Sequence, residues 1–284
     1  MALASLTMSR AIAGASVGPL AHEIDARWLM AYAAGLGETD ARYYDTLAPS
    51  GPAAHPLFPV CYEWPALLAL RAVTTSDEMA IRSVHATHDL VLHRPIRPGE
   101  TLHTTAHVSG LAHRRAGTLI TIRLETIDAA GRPVTSSDYG SVYRGVAFEG
   151  TDVGHTPPAS GATVSKGGEV LGVDIAAGLA HIYSECARIW NPIHTDIGVA
   201  RAAGLPGIIL HGTATLALAV SCILRHASVD PRAVRRISGR FTGMVPVPSC
   251  LAVRLAPPSG DGTFRFEVTR DEKVVMSSGS LHRA

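Results

Sequence analysis

Residues 189–196 read Ile-Trp-Asn-Pro-Ile-His-Thr-Asp, and the run Ile-Ile-Leu-His-Gly-Thr follows at residues 208–213. The Asn191-Pro192 pair stops a helix, because proline lacks an N–H and biases the residue before it toward extended geometry. His194 is therefore predicted to lie in a turn, presented by the surrounding scaffold. The apolar run from Gly212 predicts a buried helix. A glycine at its start would let a bound group approach a backbone N–H at the positive helix end.

The segments around this stretch occur in the same order twice along the chain. Helical spacing and apolar runs predict helices at residues 25–37 and 57–73, followed by strands at 84–93, 101–108, 118–126 and 133–143. Residues 151–168 are rich in Gly, Pro, Ser and Thr and are predicted to be a linker. The second set comprises helices at 176–186 and 212–224 and strands at 236–241, 250–255, 263–269 and 273–282.

Local matches between the two sets indicate an internal repeat. Leu67-Leu68-Ala69-Leu70 parallels Leu216-Ala217-Leu218-Ala219, an offset of 216 − 67 = 149, and residues 98–102 parallel 247–251 at the same offset. Each copy is predicted to hold one long helix against an antiparallel sheet, an α+β arrangement. The predicted units are residues 17–150 and 169–284, joined by the linker.

The stretch resembles the hydratase 2 motif of the MaoC-like dehydratases, which has a tyrosine, then an aspartate, then x-Asn-Pro-[Leu/Ile]-His-x-Asp, with His-Gly further on. Tyr183, residues 191–194, Asp196 and His211-Gly212 fit this motif in register, whereas Ile189 stands where the family has its catalytic aspartate. The resemblance implies tandem hot dog units, a double hot dog in which each sheet wraps its long helix. The first unit lacks the motif, since Tyr43 occupies the position that corresponds to His194.

The resemblance also implies an activity: hydration of a 2-enoyl thioester, or dehydration of a 3-hydroxyacyl thioester, of coenzyme A or a carrier protein. Imidazole titrates near neutrality, so His194 suits the acid/base role, although a histidine in a loop can also simply cap a carbonyl. Asn191 either orients water or the His194 loop, or serves the turn before Pro192. Gly212 would donate its N–H to the thioester oxygen, or is a small residue required by the helix start.

The alkyl side chain of Ile189 cannot exchange a proton, so another carboxylate is sought elsewhere in the chain. Glu63 follows the segment His-Pro-Leu-Phe-Pro-Val-Cys-Tyr at residues 55–62, near the start of the first unit's long helix. This segment is similar to the carrier-protein dehydratases, which pair a histidine of one subunit with a helix Glu or Asp of the other. A glutamate in so apolar a run is predicted to have a raised pKa, unless it is a solvated residue at the helix start.

Four further residues are candidate substrate contacts. His211 belongs to the matched His-Gly pair. Asp196 is either structural, as the resemblance implies for this acid, or near the substrate. Arg188 either pairs with Asp196 or touches an acidic substrate, and Tyr183 either packs or contributes to the site.

Composition narrows the remaining possibilities. The chain has 284 residues, 46% of them hydrophobic and 17% charged, with a net charge of +1. This gives no electrostatic footprint for nucleic acid, and no apolar run reaches membrane-spanning length. The four cysteines are scattered, so neither a metal site nor a disulfide framework is expected, and a cytoplasmic location is. We expect no cofactor beyond CoA or phosphopantetheine as part of the substrate, and a homodimer.

Two alternatives to a hydratase stay open at this point. One is an isomerase or thioesterase on the same fold. The other is a non-hydrating thioester-binding protein or partner subunit, in which the Ile189 substitution removed activity. Fold alone does not choose among them.

Overall fold

The computed structural model describes residues 6–157, 164, 168–257 and 260–284. In the first half the elements are β1 (Leu6–Met8), β2 (Ser16–Ile24), α1 (Ala26–Gly35), α2 (Pro59–Thr74), α3 (Asp77–Ala80), β3 (Ser83–Leu92), β4 (Glu100–Arg114), β5 (Gly117–Asp128), β6 (Pro133–Arg144), β7 (Val146–Phe148) and β8 (Val153–Gly154). Short 3-10 helices span Arg10–Ile12 and Ala41–Tyr43.

The second half repeats this series in a shorter form. It contains β9 (Val170–Ile175), α4 (Leu179–Ala187), α5 (Ile197–Ala202), α6 (Gly212–His226), β10 (Val234–Phe241), β11 (Ser249–Leu255), β12 (Thr263–Arg270) and β13 (Lys273–Arg283). Its 3-10 helices span Pro192–His194 and Pro231–Ala233. The predicted double hot dog fold is confirmed, with α2 and α6 as the two long central helices.

One large sheet joins the two units. Its strand order is β2-β4-β5-β6-β3-β10-β13-β12-β11-β9, with β8 added beside β4. The order in the second unit mirrors that in the first, and the units meet where β3 pairs antiparallel with β10. In this pairing Asp89 faces Ser238, and 238 − 89 = 149, the offset of the sequence repeat. The two sheets therefore join edge to edge about a pseudo-twofold axis.

Helices α1 and α4 pack together on the same pseudo-twofold axis. The hydroxyls of Tyr32 and Tyr183, equivalent positions in the two units, lie 3.3 Å apart. A Cβ added to Gly35 would stand 2.8 Å from the Cβ of Cys186, its counterpart in α4. Glycine at this position permits the close approach of the two helices.

The sequence prediction missed the short strands β1, β7 and β8, and also β2 and β9, which form the two ends of the sheet order. Pro19 interrupts β2, whose register to β4 shifts between Val17 and Leu20. Proline is tolerated there because an edge strand leaves one row of N–H groups unpaired. In β9 the strand signal is short and contains Gly172.

The core is continuous across both units. Helix α6 is buried on nearly all sides from Ala214 to Ser221, as expected for a helix enclosed by a sheet. Leu216 of α6 and Tyr62 of α2 lie in the same hydrophobic cluster. Each fully buried leucine of this kind contributes about 1.5–3 kcal/mol of transfer free energy. The shared core predicts that the two units unfold together.

The predicted linker at residues 151–168 lies partly outside the described residues, since 158–163 and 165–167 are not described. Its first part joins the sheet, because β8 pairs with β4 at Gly110 and Leu111. Across the described ranges, no helix has both the length and the apolar character needed to cross a membrane.

Candidate active site

His194 ends the 3-10 helix that follows Asn191-Pro192, and its side chain is 8% exposed. Its Nδ1 lies 2.8 Å from the carbonyl oxygen of Ile209. A carbonyl only accepts, so Nδ1 carries the proton in the neutral ring and Nε2 keeps its lone pair. Burial lowers the pKa of His194 to about 4, against a smaller opposing effect of this hydrogen bond. At neutral pH the residue is therefore an uncharged base.

His211 lies against His194 and precedes α6. The two rings stack with centroids 3.6 Å apart, and His211 Nε2 lies 3.3 Å from the Ser184 hydroxyl. Ser184 donates its own proton to the Ala180 carbonyl, so it accepts from His211 Nε2–H. Burial lowers the pKa of the His211 imidazole, and the neighbouring His194 lowers it further. Two neutral stacked imidazoles thus occupy this side of the site.

Gly212 is the first residue of α6, where backbone N–H groups have no partner within the helix. A Cβ added here would lie 3.3 Å from two ring carbons of Phe241. A larger residue would press on that ring, so both readings of the glycine, N–H donor and space requirement, agree with its surroundings. The positive end of α6 favours developing negative charge at this point.

Ile189 and Asn191 line the same cavity. Arg188, the residue after α4, has a left-handed backbone conformation with φ 57°, which redirects the chain before Ile189. The Ile189 side chain is buried at the place where the family motif has an acid. The Asn191 side chain makes no capping hydrogen bond; its backbone carbonyl accepts from the N–H of His194. The side-chain amide of Asn191 therefore does not cap the turn.

Glu63 of α2 lines this cavity from the other unit. Its side chain is 1% exposed, and its Oε1 accepts a 2.6 Å hydrogen bond from the Ser137 hydroxyl. Burial raises the pKa of Glu63 to about 7, although Ser137 and Arg123 oppose the shift. The carboxyl is therefore partly protonated near neutrality and can give a proton. The alternative that Glu63 is a solvated residue at the helix start is wrong, because the side chain is buried within α2, which begins four residues earlier at Pro59.

The cavity has a volume of about 380 Å³ and is built from both units. One face of α2 lines it from Val60 through Glu63 and Leu67 to Arg71. The cavity reaches the surface, because some of its lining residues are exposed, Ile81 by 66% and Met244 by 51%. Arg144, the last residue of β6, is also exposed at this rim. The cavity thus has a buried end near Glu63 and a basic rim.

Three predicted substrate contacts do not line the cavity. The Arg188 guanidinium carbon lies 4.1 Å from the ring centroid of Trp28, and its Nη2 lies 3.8 Å from Asp25 Oδ2. Arg188 therefore neither pairs with Asp196 nor reaches the cavity. Asp196 caps α5 by accepting from the N–H groups of Gly198 and Val199.

Tyr183 is buried and donates a 3.1 Å hydrogen bond to the hydroxyl of Thr213. Thr213 lines the cavity, whereas Tyr183 does not. Tyr183 therefore supports a lining residue instead of contacting a substrate. Glu185, an acid one helical turn before Ile189, is exposed and does not line the cavity.

Sequence reasoning missed the wall contributed by β3 and β6. His85, His88 and Tyr139 line the cavity, as does Phe241 at the end of β10. The only available signal was two histidines three residues apart in a strand, which no motif distinguishes from the other histidines. Within the described ranges, no group of three or more His, Cys, Asp or Glu side chains is arranged to hold a metal ion.

Comparisons with known proteins agree with this architecture. The family described as "MaoC like domain" matches residues 180–275, and the one described as "FAS1-like, dehydratase domain region" matches residues 11–137. A peroxisomal enoyl-CoA hydratase 2 of Arabidopsis thaliana is 47% identical over 53 residues, which cover 18% of this chain and 17% of that protein. The chain thus spans less than a fifth of that relative.

Solved structures share the fold over nearly the whole chain. A MaoC-like dehydratase from Phytophthora capsici superposes with a TM-score of 0.83 at 20% identity, covering 96% of each chain. A Mycobacterium tuberculosis protein described as a double hot dog superposes with a TM-score of 0.62 at 17% identity, covering 95% of this chain and 94% of that one. These structures show the double hot dog fold, and each half of the chain is similar in sequence to one of the two families named above. The chain is therefore similar to the MaoC-like dehydratases, in sequence over residues 180–275 and in fold over nearly its whole length.

Proposed function

We propose that the protein is a hydratase or dehydratase acting on 2-enoyl or 3-hydroxyacyl thioesters of CoA. The observation that carries this proposal is the neutral His194, whose Nδ1–H is held by the Ile209 carbonyl in a cavity shared with the start of α6. This arrangement leaves Nε2 as a base beside a backbone N–H suited to a thioester oxygen. The enoyl-CoA hydratase 2 relative supports the same reaction class.

In the hydration direction, the water oxygen bonds to C3 while its proton passes to His194 Nε2. The electron pair of the C2–C3 double bond moves through the thioester to its oxygen, which accepts from the Gly212 N–H. The resulting enolate collapses as C2 takes a proton from Glu63. Return of the proton from His194 to the Glu63 carboxylate, directly or through water, restores both groups, and dehydration is the reverse. Asn191 orients the attacking water.

The basic rim favours CoA as the thiol carrier. Arg71 and Arg144 line the open end, where the phosphate groups of CoA would remain when the acyl group enters. The guanidinium group suits phosphate because its planar donors match phosphate oxygens. Glu63, about 12 Å along α2 from Arg71 by helix rise, lies at the acyl end.

The first prediction tests the acid/base role. His194→Ala should lower kcat for hydration of crotonyl-CoA or a longer 2-enoyl-CoA by about 100-fold or more, the range for loss of a positioned proton carrier. Loss of the conjugated thioester absorbance measures the rate, and circular dichroism checks the fold. His282→Ala, an exposed histidine of β13, is the matched control and should retain wild-type turnover. Equal turnover in the His194 variant would exclude this residue from the chemistry.

Ile189 favours one second candidate, a thioester-binding protein that does not hydrate. Ile189→Asp places a carboxylate in the cavity, and Ile189→Asn is its uncharged match. If the wild-type chain is inactive and only the Asp variant gains crotonyl-CoA hydration, the native protein binds thioesters without hydrating them. We expect instead that the wild-type chain hydrates, and that Asp at position 189 does not rescue the loss caused by Glu63→Gln.

A further inference from the structure

His88 of β3 is a buried imidazole with no assigned role. Its side chain is 2% exposed and lines the cavity. Neither Nδ1 nor Nε2 has a hydrogen-bond partner within the described part of the chain. A buried polar group without a partner destabilises a protein, so such groups are rare and require an explanation. Burial also lowers the pKa of His88 to about 4, which keeps the ring neutral.

A continuous ring wall connects Gly212 to His88. Phe241 lies against Gly212, and its centroid is 4.5 Å from that of His85. His85 stacks on Tyr139 at 3.8 Å and stands 5.5 Å from His88. A thioester placed with its oxygen at Gly212 would extend its acyl chain along these rings. His88, at the far end of these rings, would then meet the acyl chain just beyond the carbons that take part in the reaction.

The sheet register places His88 beside Glu63. His88 pairs with Tyr139, and Leu90 pairs with Ser137, which donates to the Glu63 carboxyl. Side chains two residues apart on a strand share one face, so His88 and Ser137 are diagonal neighbours. Both Glu63 and His88 are almost fully buried, whereas the arginines lie at the open rim. The acyl end of the cavity thus contains polar groups, although its other walls are largely apolar.

We infer that His88 is a specificity-determining residue that selects acyl thioesters bearing a neutral oxygen group, a hydroxyl or a ketone, beyond C3. This inference rests on the proposed function, because it takes the cavity to hold an acyl thioester. A neutral imidazole offers one donor and one acceptor, which together satisfy a hydroxyl or, through the donor, a ketone. A carboxylate is disfavoured at this end, because Glu63 is an acid nearby and His88 gives no positive charge.

The test compares matched ligands by binding, so that it does not depend on turnover. Isothermal titration with saturated acyl-CoAs would use three chains of equal length, ending in a methyl, a hydroxymethyl or a carboxylate group, over a series of lengths. The wild-type protein should bind the hydroxylated chain of one length about tenfold more tightly than the methyl-ended chain, the effect of one satisfied buried hydrogen bond. Hydration rates of the corresponding 2-enoyl-CoAs should show the same preference in kcat/KM.

Variants assign the preference to His88. His88→Leu should reverse the preference toward the methyl-ended chain and retain the melting temperature, since no hydrogen bond within the protein is lost. His88→Gln, which keeps a donor and an acceptor, should retain part of the preference for the hydroxyl. His22→Leu is the control, because His22 Nε2 is also buried without a partner, but His22 does not line the cavity.

The outcomes separate the two proposals. Tighter binding of the methyl-ended or the carboxylate-ended chain by the wild-type protein at every length would overturn the inference about His88. An unchanged preference in His88→Leu would overturn it equally. Binding of acyl-CoAs with the predicted preference, but no hydration of any 2-enoyl-CoA, would overturn the proposed function and leave the selectivity of His88 supported.

Discussion

His194 and Glu63 have pKa values shifted in opposite directions by the same cause. Burial disfavours the charged form of each, which lowers the pKa of the histidine to about 4 and raises that of the glutamate to about 7. Between these values the histidine is a neutral base and the glutamate a neutral acid. One cavity thus provides a proton acceptor and a proton donor at the same pH, as addition of water requires.

At this scale we predict a bell-shaped pH dependence of kcat/KM. Activity should fall as pH drops toward 4, because His194 becomes protonated, and should fall as pH rises above about 7, because Glu63 loses its proton. Glu63→Gln should lower kcat and remove the alkaline limb. Ser137→Ala removes the hydrogen bond that lowers the Glu63 pKa, so its alkaline limb should move to higher pH. An alkaline limb that persists in Glu63→Gln would assign it to another group.

The cavity is lined by helices and turns of both units, and neither unit forms it alone. Helix α2 of the first unit brings Glu63 and Arg71, whereas the turn after α4 and the start of α6 bring His194 and Gly212. The turn is fixed locally by Asn191-Pro192 and by the left-handed Arg188, but its partner helix comes from the other unit. The β3–β10 pairing holds the two halves in register.

A further prediction concerns the basic rim, which α2 and β6 form with Arg71 and Arg144. The double variant Arg71→Ala, Arg144→Ala should raise KM for a 2-enoyl-CoA about tenfold at low salt, because two guanidinium groups that face phosphates are lost. The same acyl group on N-acetylcysteamine, which has no phosphate, should show an unchanged KM. Arg115→Ala, an exposed arginine in the β4–β5 turn outside the cavity, is the control. An equal effect on both thioesters would mean that the arginines act on the acyl group or on the fold.

At the scale of the whole molecule, burial of several histidines makes stability depend on pH. Burial lowers the pKa values of His55 to about 3 and of His88 and His194 to about 4, from 6.5. Below pH 6.5 the unfolded chain binds more protons than the folded one, so the free energy of unfolding falls as pH falls. Glu63 acts in the opposite sense: its raised pKa stabilises the fold below pH 4.5, and this contribution is lost as pH rises through 7.

Three histidines oppose one glutamate, so we predict a net loss of stability between pH 7 and pH 5. Each histidine contributes about 2 kcal/mol at pH 5 by its shift, an order-of-magnitude figure. Urea unfolding at the two pH values measures the change. His88→Leu should lessen the loss, and Glu63→Gln should deepen it, because the opposing group is removed. A free energy of unfolding that stays constant from pH 7 to pH 5 would contradict the assigned burial of these histidines.

The repeat, the long helices and the motif loop could be predicted from the sequence alone. The offset of 149, the apolar runs of α2 and α6 and the Asn-Pro break are local patterns that survive folding, because they follow from backbone chemistry and from the need to bury apolar faces. The positions of His194, Asn191 and Gly212 in one cavity followed from a motif whose members are close along the chain. Glu63 was found because Ile189 lacks an acid, because the segment before Glu63 is similar to the carrier-protein dehydratases, and because a glutamate within an apolar run requires an explanation.

Which side chains face each other across the two units became known from the three-dimensional structure. Arg188 precedes Ile189 in sequence, yet it stacks on Trp28, and Asp196 belongs to the motif, yet it caps α5. His85 and His88 gave no motif signal, yet the β3–β6 register and the pairing with β10 place them on the cavity wall. Strand pairing depends on contacts between residues far apart in the chain, and a one-residue change of register would turn these histidines to the opposite face. That dependence is why the acyl end of the cavity could not be predicted from the sequence.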